Sequence, residues 1–270
     1  MSAAPETRRT RPAAAAAVER ELQTLWRDEA DARKQAAPGS KPLGRSLLHT
    51  LIIFAPTGAA AEMARAAVAE LTQHQPARSV LLAGGAEGAA AEPDALDASV
   101  TLHCVGPMDG HDTICCEQVT LAASTPAAQR RLPGAVLPLL LTDVPSFLWW
   151  TQGNPFRDPV LRGLEPAIDR LIIDSLTFAA PQSDLAAVAA AMADTGFHPV
   201  ISDLSWARLA PWRYQTAQIF DPASRRPALN SLVRARLSYY AGKPTLAWLF
   251  GGWLASRLGW EPADTDPLQV

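Results

Sequence analysis

Two short apolar runs, one helix's length apart, constrain this chain more than any other feature. The first, "SLLHTLIIFAP" from Ser46, holds β-branched Ile52 and Ile53 in an almost unbroken apolar stretch, the pattern of a strand buried on both faces. "GAAAEMARAAVAELTQHQP" follows and reads as a helix that stops before Pro76. "RSVLLAG" is then a second buried strand. Strand, helix and strand at this spacing make a βαβ unit, whose parallel crossover is almost always right-handed. The expected fold class is therefore α/β, a mostly parallel sheet flanked by helices.

The rest of the chain extends this pattern. Residues 1 to about 14 have little to bury and are expected to be disordered. From Ala13 to about Lys34, Val18, Leu22, Leu25 and Trp26 recur at helical spacing among charges, an amphipathic helix. Pro38, Gly39, Ser40, Pro42 and Gly44 then mark a linker. "ASVTLHCV" and "TICCEQVTLAA", separated by the turn-rich "GPMDGHD", predict a hairpin at or near a sheet edge. "TPAAQRRLPGAVLPLLL" predicts a helix interrupted at Pro133 and Gly134, leading into the strand "DVPSFLWW". A short helix and the strand around Leu171, Ile172 and Ile173 come next. "PQSDLAAVAAAMADTG" predicts a helix with Ser183 or Asp184 near its N-cap and Gly196 at its close. "DLSWARLAPWRYQTAQIFD" reads as helical.

Charge and cysteine content narrow the function classes. The net charge is −3, so no excess of cations awaits a phosphate backbone and nucleic acid is an unexpected partner. Three cysteines, Cys104, Cys115 and Cys116, are not a disulfide framework and read as buried thiols in a reducing, cytoplasmic setting. The alanine run near the start is broken by Glu19, Arg20 and Glu21, so no export signal is expected. "PTLAWLFGGWLASRLGW" is seventeen residues long and contains Arg257, which predicts a buried helix, since a membrane span needs about 20 apolar residues.

The usual catalytic signatures fail on spacing. "APTGAAAEMA" sets Thr57 and Gly58 at a helix start, but neither GxGxxG nor GxxxxGK[ST] occurs, and an ordinary N-cap is the better reading. His103, Cys104, His111, Cys115 and Cys116 gather in one hairpin, yet neighbours on a strand face opposite ways and no zinc spacing matches. There is no G-x-S-x-G elbow, and no pair of carboxylates at acid–base spacing. No cofactor and no metal are expected.

Two segments carry stronger signals. "LLLTDVPSFLWWTQGNPF" ends a strand on Trp149 and Trp150, at the carboxyl end where open α/β sheets place ligands or partners. "DLSWARLAPWR" sets Trp206, Arg208, Trp212 and Arg213 beside Asp203, and Trp and Arg are the residues that dominate binding hot spots. On an unbroken helix Trp206 and Arg213 would share a face, though Pro211 interrupts that register. A core wedge of tryptophans between domains is the structural alternative.

At these residues the chain resembles the glucose-6-phosphate dehydrogenase assembly protein family, OpcA. "LIIFAP", "HQPARSVLL", "CCEQVTL", "PLLLTDVPSFLWW", "DRLIIDS" and "DLSWARLAPWR", in that order, carry the likeness from about Ser46 to about Asp221. The resemblance implies a non-catalytic protein that associates with glucose-6-phosphate dehydrogenase and promotes its active oligomer, supporting the oxidative pentose phosphate pathway and NADPH supply. It also implies an N-terminal α/β domain and a second, α/β or α+β domain joined near the 153–159 break. The expected division is a tail, helix and linker over 1–45, an N-terminal α/β domain over 46–155 and a C-terminal domain over 156–270. Thiol control attributed to some relatives is not carried over, because no cysteine lies beyond Cys116. The competing expectation is a sugar-phosphate or nucleotide-binding enzyme with Asp143, His198 or Arg213 in a cleft at the carboxyl end of the sheet.

Overall fold

Strands that are apolar at nearly every position need cover on both faces, and helices supply it here. The computed structural model describes residues 7–10, 15–36, 47–72, 74–84, 96–105, 114–240 and 242–261. The linker around 38–44, most of the glycine-rich loop from 85 and the turn containing His111 lie outside these residues. The strands are β1 (Thr7–Thr10), β2 (His49–Ala55), β3 (Ala77–Gly84), β4 (Asp97–Val105), β5 (Ile114–Ala123), β6 (Ser146–Trp150), β7 (Arg170–Ile173) and β8 (Val200–Asp203). The helices are α1 (Ala15–Ala36), α2 (Gly58–Leu71), α3 (Pro126–Val136), α4 (Pro159–Leu164), α5 (Pro181–Ala193), α6 (Leu204–Arg208), α7 (Ala210–Phe220) and α8 (Thr245–Leu258).

All eight strands join one sheet in the order β1-β4-β5-β3-β2-β6-β7-β8. The β1–β4 and β4–β5 pairs are antiparallel and the others parallel, so the sheet is mostly parallel, as expected. β2 lies inside it, with β3 on one side and β6 on the other, and successive residues of β2 serve opposite faces. Ile52 and Phe54 enter a core with Val80, Leu82, Leu148 and Trp150, covered by Val18, Leu22 and Leu25 of α1 and Leu132 of α3. Leu51, Ile53 and Ala55 pack on the other side against Ala60, Ala61, Ala64 and Val68 of α2. The small side chains of α2 let it lie close on the sheet, and Thr57 caps it by accepting from the Ala60 N–H at 3.2 Å.

Several expectations change. Thr7–Thr10 pairs with β4, although the region looked too polar to order; backbone pairing holds an edge strand. α3 runs through Pro133 to Val136, because proline forfeits one hydrogen bond and the ring is seated against α4. α5 starts after Ala180 and closes at Asp194, ahead of Gly196. β8 is an additional strand. α8 is half-buried, with only Thr245 fully enclosed, where a buried helix was expected. Among the described residues no helix is long and apolar enough to cross a membrane. The division expected at 155/156 falls inside the one sheet, between β6 and β7, whose pairing sets Leu148 beside Leu171.

The cysteines also depart from expectation. Cys104 and Cys115 stand directly opposite each other on the antiparallel β4–β5 ladder and form a disulfide, so they are not thiols. The odd cysteine count therefore gives no ground for a reducing compartment. Cys116, on the opposite face, is the free and buried one; burial raises its thiol pKa, and its Sγ sits 3.4 Å from the Thr72 carbonyl.

Candidate partner interface

The carboxyl ends of β7 and β8 are where the second strong segment emerges. Parallel pairing sets Ile173 beside Asp203, so the residues that follow each strand meet in space. Asp203 caps α6: its Oδ1 accepts from the Ser205 N–H at 2.9 Å and from the Ser175 N–H at 3.1 Å, and its Oδ2 accepts from the Ser175 hydroxyl at 2.6 Å. Asp174 closes the same knot from the β7 side. Its carboxylate takes a two-pronged pair from Arg208 at 2.7 and 2.8 Å, and its Oδ1 accepts from the Ser205 hydroxyl at 3.0 Å. Burial pushes the Asp174 carboxyl up, but the bonds from Arg208, Ser205 and the Leu176 N–H outweigh it and hold it below the ordinary carboxylate value. Arg208 is raised in turn, chiefly by its bond to Asp174. Asp203 and Arg208 thus fix the origin of α6 and α7 on the sheet.

α6 ends at Leu209 and α7 restarts there, with Pro211 in the first turn, where the missing N–H costs nothing. This break replaces the shared helical face expected of Trp206 and Arg213 with a direct clasp. The Arg213 guanidinium carbon lies 3.7 Å from the Trp206 ring centroid, and Nη1 donates to the Trp206 carbonyl at 2.7 Å. Trp206 is nevertheless 40% exposed and Trp212 66% exposed. α7 contains no buried residue, and Tyr214 and Ile219 are exposed beside Trp212. A helix with large apolar side chains and no core face presents them outward.

The tryptophan pair divides between the two faces of the sheet. Trp150 is buried and stacks on Phe54, its register partner in β2, with ring centroids 4.0 Å apart. Trp149 is half-buried on the α2 face, and its indole Nε1 finds no acceptor among the described residues. Neither reaches the α6–α7 cluster, so the expected site residues form two groups: Trp149 and Trp150 within the sheet, and Asp203, Trp206, Arg208, Trp212 and Arg213 after β8.

The residues of the competing enzyme reading are not brought together. Asp143 precedes β6 and His198 precedes β8, which places both at the amino ends of parallel strands, whereas Arg213 follows the carboxyl end of β8. At the α2 start, Thr57 is occupied by its capping bond and by Gln152, 3.3 Å away. Among the described residues no three His, Cys, Asp or Glu side chains gather as a metal site would require. Asp174 and Ser205, central to the cluster, were not singled out from sequence. The polar pair Asp174–Ser175 ending the apolar "RLII" run was the available signal.

Comparison with known proteins bears on this arrangement. Residues 51–190, more than half of the chain, match the glucose-6-phosphate dehydrogenase subunit N-terminal domain family, and residues 199–269 match the corresponding C-terminal domain family. The OxPP cycle protein OpcA of Nostoc punctiforme is 36% identical over 172 residues, 63% of this chain and 36% of the relative. The protein of that name from Synechocystis sp. is 32% identical over 188 residues, 69% of this chain and 38% of the relative. That of Synechococcus elongatus is 32% identical over 168 residues, 62% and 37% of the two chains. The aligned part of the chain thus spans little more than a third of each relative's length. The chain belongs to the glucose-6-phosphate dehydrogenase assembly protein family, OpcA.

Proposed function

We propose that this protein is a non-catalytic, cytoplasmic partner of glucose-6-phosphate dehydrogenase that binds the enzyme and stabilises its active oligomer, supporting the oxidative pentose phosphate pathway and NADPH supply. The observation that carries this reading, together with family membership, is α7: a helix without a buried residue that holds Trp212, Tyr214 and Ile219 outward beside the Trp206–Arg213 clasp. Such aromatics and arginines are the usual anchors of protein interfaces. The mechanism is linkage. A protein that binds the active oligomer better than the inactive form shifts the population by its differential affinity and needs no chemistry of its own. In this reading Trp206, Trp212 and Arg213 contact the partner, Arg208 and Asp203 hold the helices in place, and Trp149 and Trp150 brace the sheet beneath them.

The test is titration of the purified full chain into glucose-6-phosphate dehydrogenase from the same organism, following activity and particle mass together. A saturable rise in activity with a larger species is expected. Trp212→Ala, exposed and outside the fold's core, is expected to weaken association about tenfold or more while leaving thermal unfolding unchanged. Absence of any complex between two folded proteins overturns the reading.

A further inference from the structure

Residues 232–240, "LVRARLSYY", run between the turn of 3-10 helix at 226–231 and α8 without helix, turn or bend. Leu232 is in the extended region, and no backbone N–H or carbonyl of residues 233–239 bonds to another described backbone group. The segment is nevertheless docked: Leu237 leans on α8 at Gly251, where even an added methyl would stand 3.3 Å from its Cδ1. Paired as a strand, the segment would set Val233, Ala235, Leu237 and Tyr239 in one row and Arg234, Arg236, Ser238 and Tyr240 in the other. Val233 is 92% exposed and Tyr240 87% exposed. This is an exposed segment without helix, turn or bend and with open backbone edges, the kind of template onto which a second strand adds.

Charge identifies what fits it. Residues 222–243 contain Arg225, Arg226, Arg234, Arg236 and Lys243 and no acid, in a chain whose net charge is −3. Arg234 and Arg236 enter no ion pair among the described residues. A second copy of the chain is disfavoured: antiparallel pairing centred on Ala235 would set Arg234 against Arg236, and like charges directly opposite repel. A row of unpaired amides and carbonyls is satisfied by another strand, which supplies both acceptors and donors.

We propose that residues 232–240 are a docking strand that pairs, backbone to backbone, with an edge β-strand of the partner protein carrying carboxylates opposite Arg234 and Arg236. This deepens the reading of the dehydrogenase as partner and rests on it. Ala235→Pro removes an amide donor from the strand and blocks pairing, while in the free protein that amide has no bond to lose. Arg234→Glu with Arg236→Glu reverses the charge and leaves the backbone intact; Arg234→Lys with Arg236→Lys keeps it.

The experiment measures binding of full-length wild type and these variants to the dehydrogenase by particle mass, with amide hydrogen exchange of residues 233–239 in the free and bound chain. Thermal unfolding of each variant verifies its fold. Each of the first two variants is expected to bind about tenfold or more weakly, the lysine pair nearly as wild type, and every second amide of 233–239, that of Ala235 among them, to become protected only in the complex. If wild type binds while both variants bind equally well and these amides stay unprotected, the docking strand is overturned and the dehydrogenase reading stands. If wild type does not bind, that reading fails and this inference falls with it. Salt-sensitive binding of a random single-stranded oligonucleotide, lost in the charge-reversed variant, would also overturn it in favour of a nucleic-acid surface.

Discussion

Asp174 bonds α6 at both Ser205 and Arg208, and its protonation is the natural lever on that geometry. Its folded pKa lies below the ordinary value of 3.8, so its contribution to stability is fully present above that value and is lost as pH falls through the lowered one. Because Arg208 is half-exposed, the pair itself is screened, and the bonds from Ser205 and the Leu176 amide supply much of the rest. Asp174→Asn is expected to cost about 1–2 kcal/mol at pH 7, read by urea unfolding, and the gap from wild type should close as the pH is lowered below 3.8. A gap that persists unchanged in acid would show that the carboxylate charge contributes nothing. Arg78 makes a second, buried case. It is 1% exposed, its Nε donates to Glu117 at 2.7 Å, its Nη1 donates to the Leu139 carbonyl at 2.9 Å, and it also pairs with Glu19 on α1. Glu117 is fully buried and also accepts from the Trp26 indole at 2.8 Å. Arg78→Ala removes the cation facing Glu117 and should cost about 3–5 kcal/mol by urea unfolding. The aromatic and arginine residues after β8 stand out in the sequence by residue type alone. Asp174 does not, since its partner Arg208 is 34 residues away and only the β7–β8 pairing brings them together. Arg78 was not singled out, although it is the one cation in a largely apolar strand.

Among elements, the α3–α4 contact explains why a proline did not end its helix. The Pro133 ring lies where α4 presents Gly163, and a Cβ at Gly163 would stand 2.7 Å from both Cβ and Cγ of that ring. Gly163→Ala should therefore force the helices apart and destabilise by about 1–3 kcal/mol, a cost to be read by chemical denaturation. No change would mean that α4 shifts freely on the sheet. Propensity gave the right sign for Pro133 and the wrong outcome, because burial of the surrounding Leu132 and Val136 outweighs one absent hydrogen bond. The β4–β5 hairpin shows the same limit. Alternation and the intervening turn residues predicted the pair, but register decides that Cys104 faces Cys115, and register was not readable. With its ends eleven positions apart in the sequence, the disulfide closes a loop that in the chain-entropy account contributes about 2–3 kcal/mol. Reduction should lower the denaturation midpoint accordingly, and Cys104→Ser should match the reduced protein.

Across the whole molecule, burial and exposure are divided along the chain. Every strand of the sheet precedes Leu204, and the long apolar strands that build its centre were visible as unbroken runs. The edge strands β1 and β8 were not visible because, unlike the equally short β7 with its Leu171–Ile173 run, Thr-Arg-Arg-Thr and Val-Ile-Ser-Asp carry no apolar run of three, and their pairing is decided by neighbours distant in sequence. Beyond Leu209, few side chains enter a core, and α7 and residues 222–240 expose Trp212, Tyr214, Ile219, Val233 and Tyr240. A region with few buried contacts and open backbone edges is where a chain opens first to a protease. Trypsin acting on the free protein should therefore cleave, among the described residues, after Arg234 or Arg236 before it cleaves after Arg130 or Arg131 in α3, the order being read by mass spectrometry of timed samples. Arg226 precedes Pro227 and resists for a chemical reason, so it does not report on order. If the segment is where the dehydrogenase docks, added enzyme should slow cleavage at Arg234 and Arg236 selectively and leave sites elsewhere unchanged. Equal slowing at every site would point to protease inhibition, and first cleavage inside α3 would place the weakest part of the molecule in the sheet layer instead of beyond it.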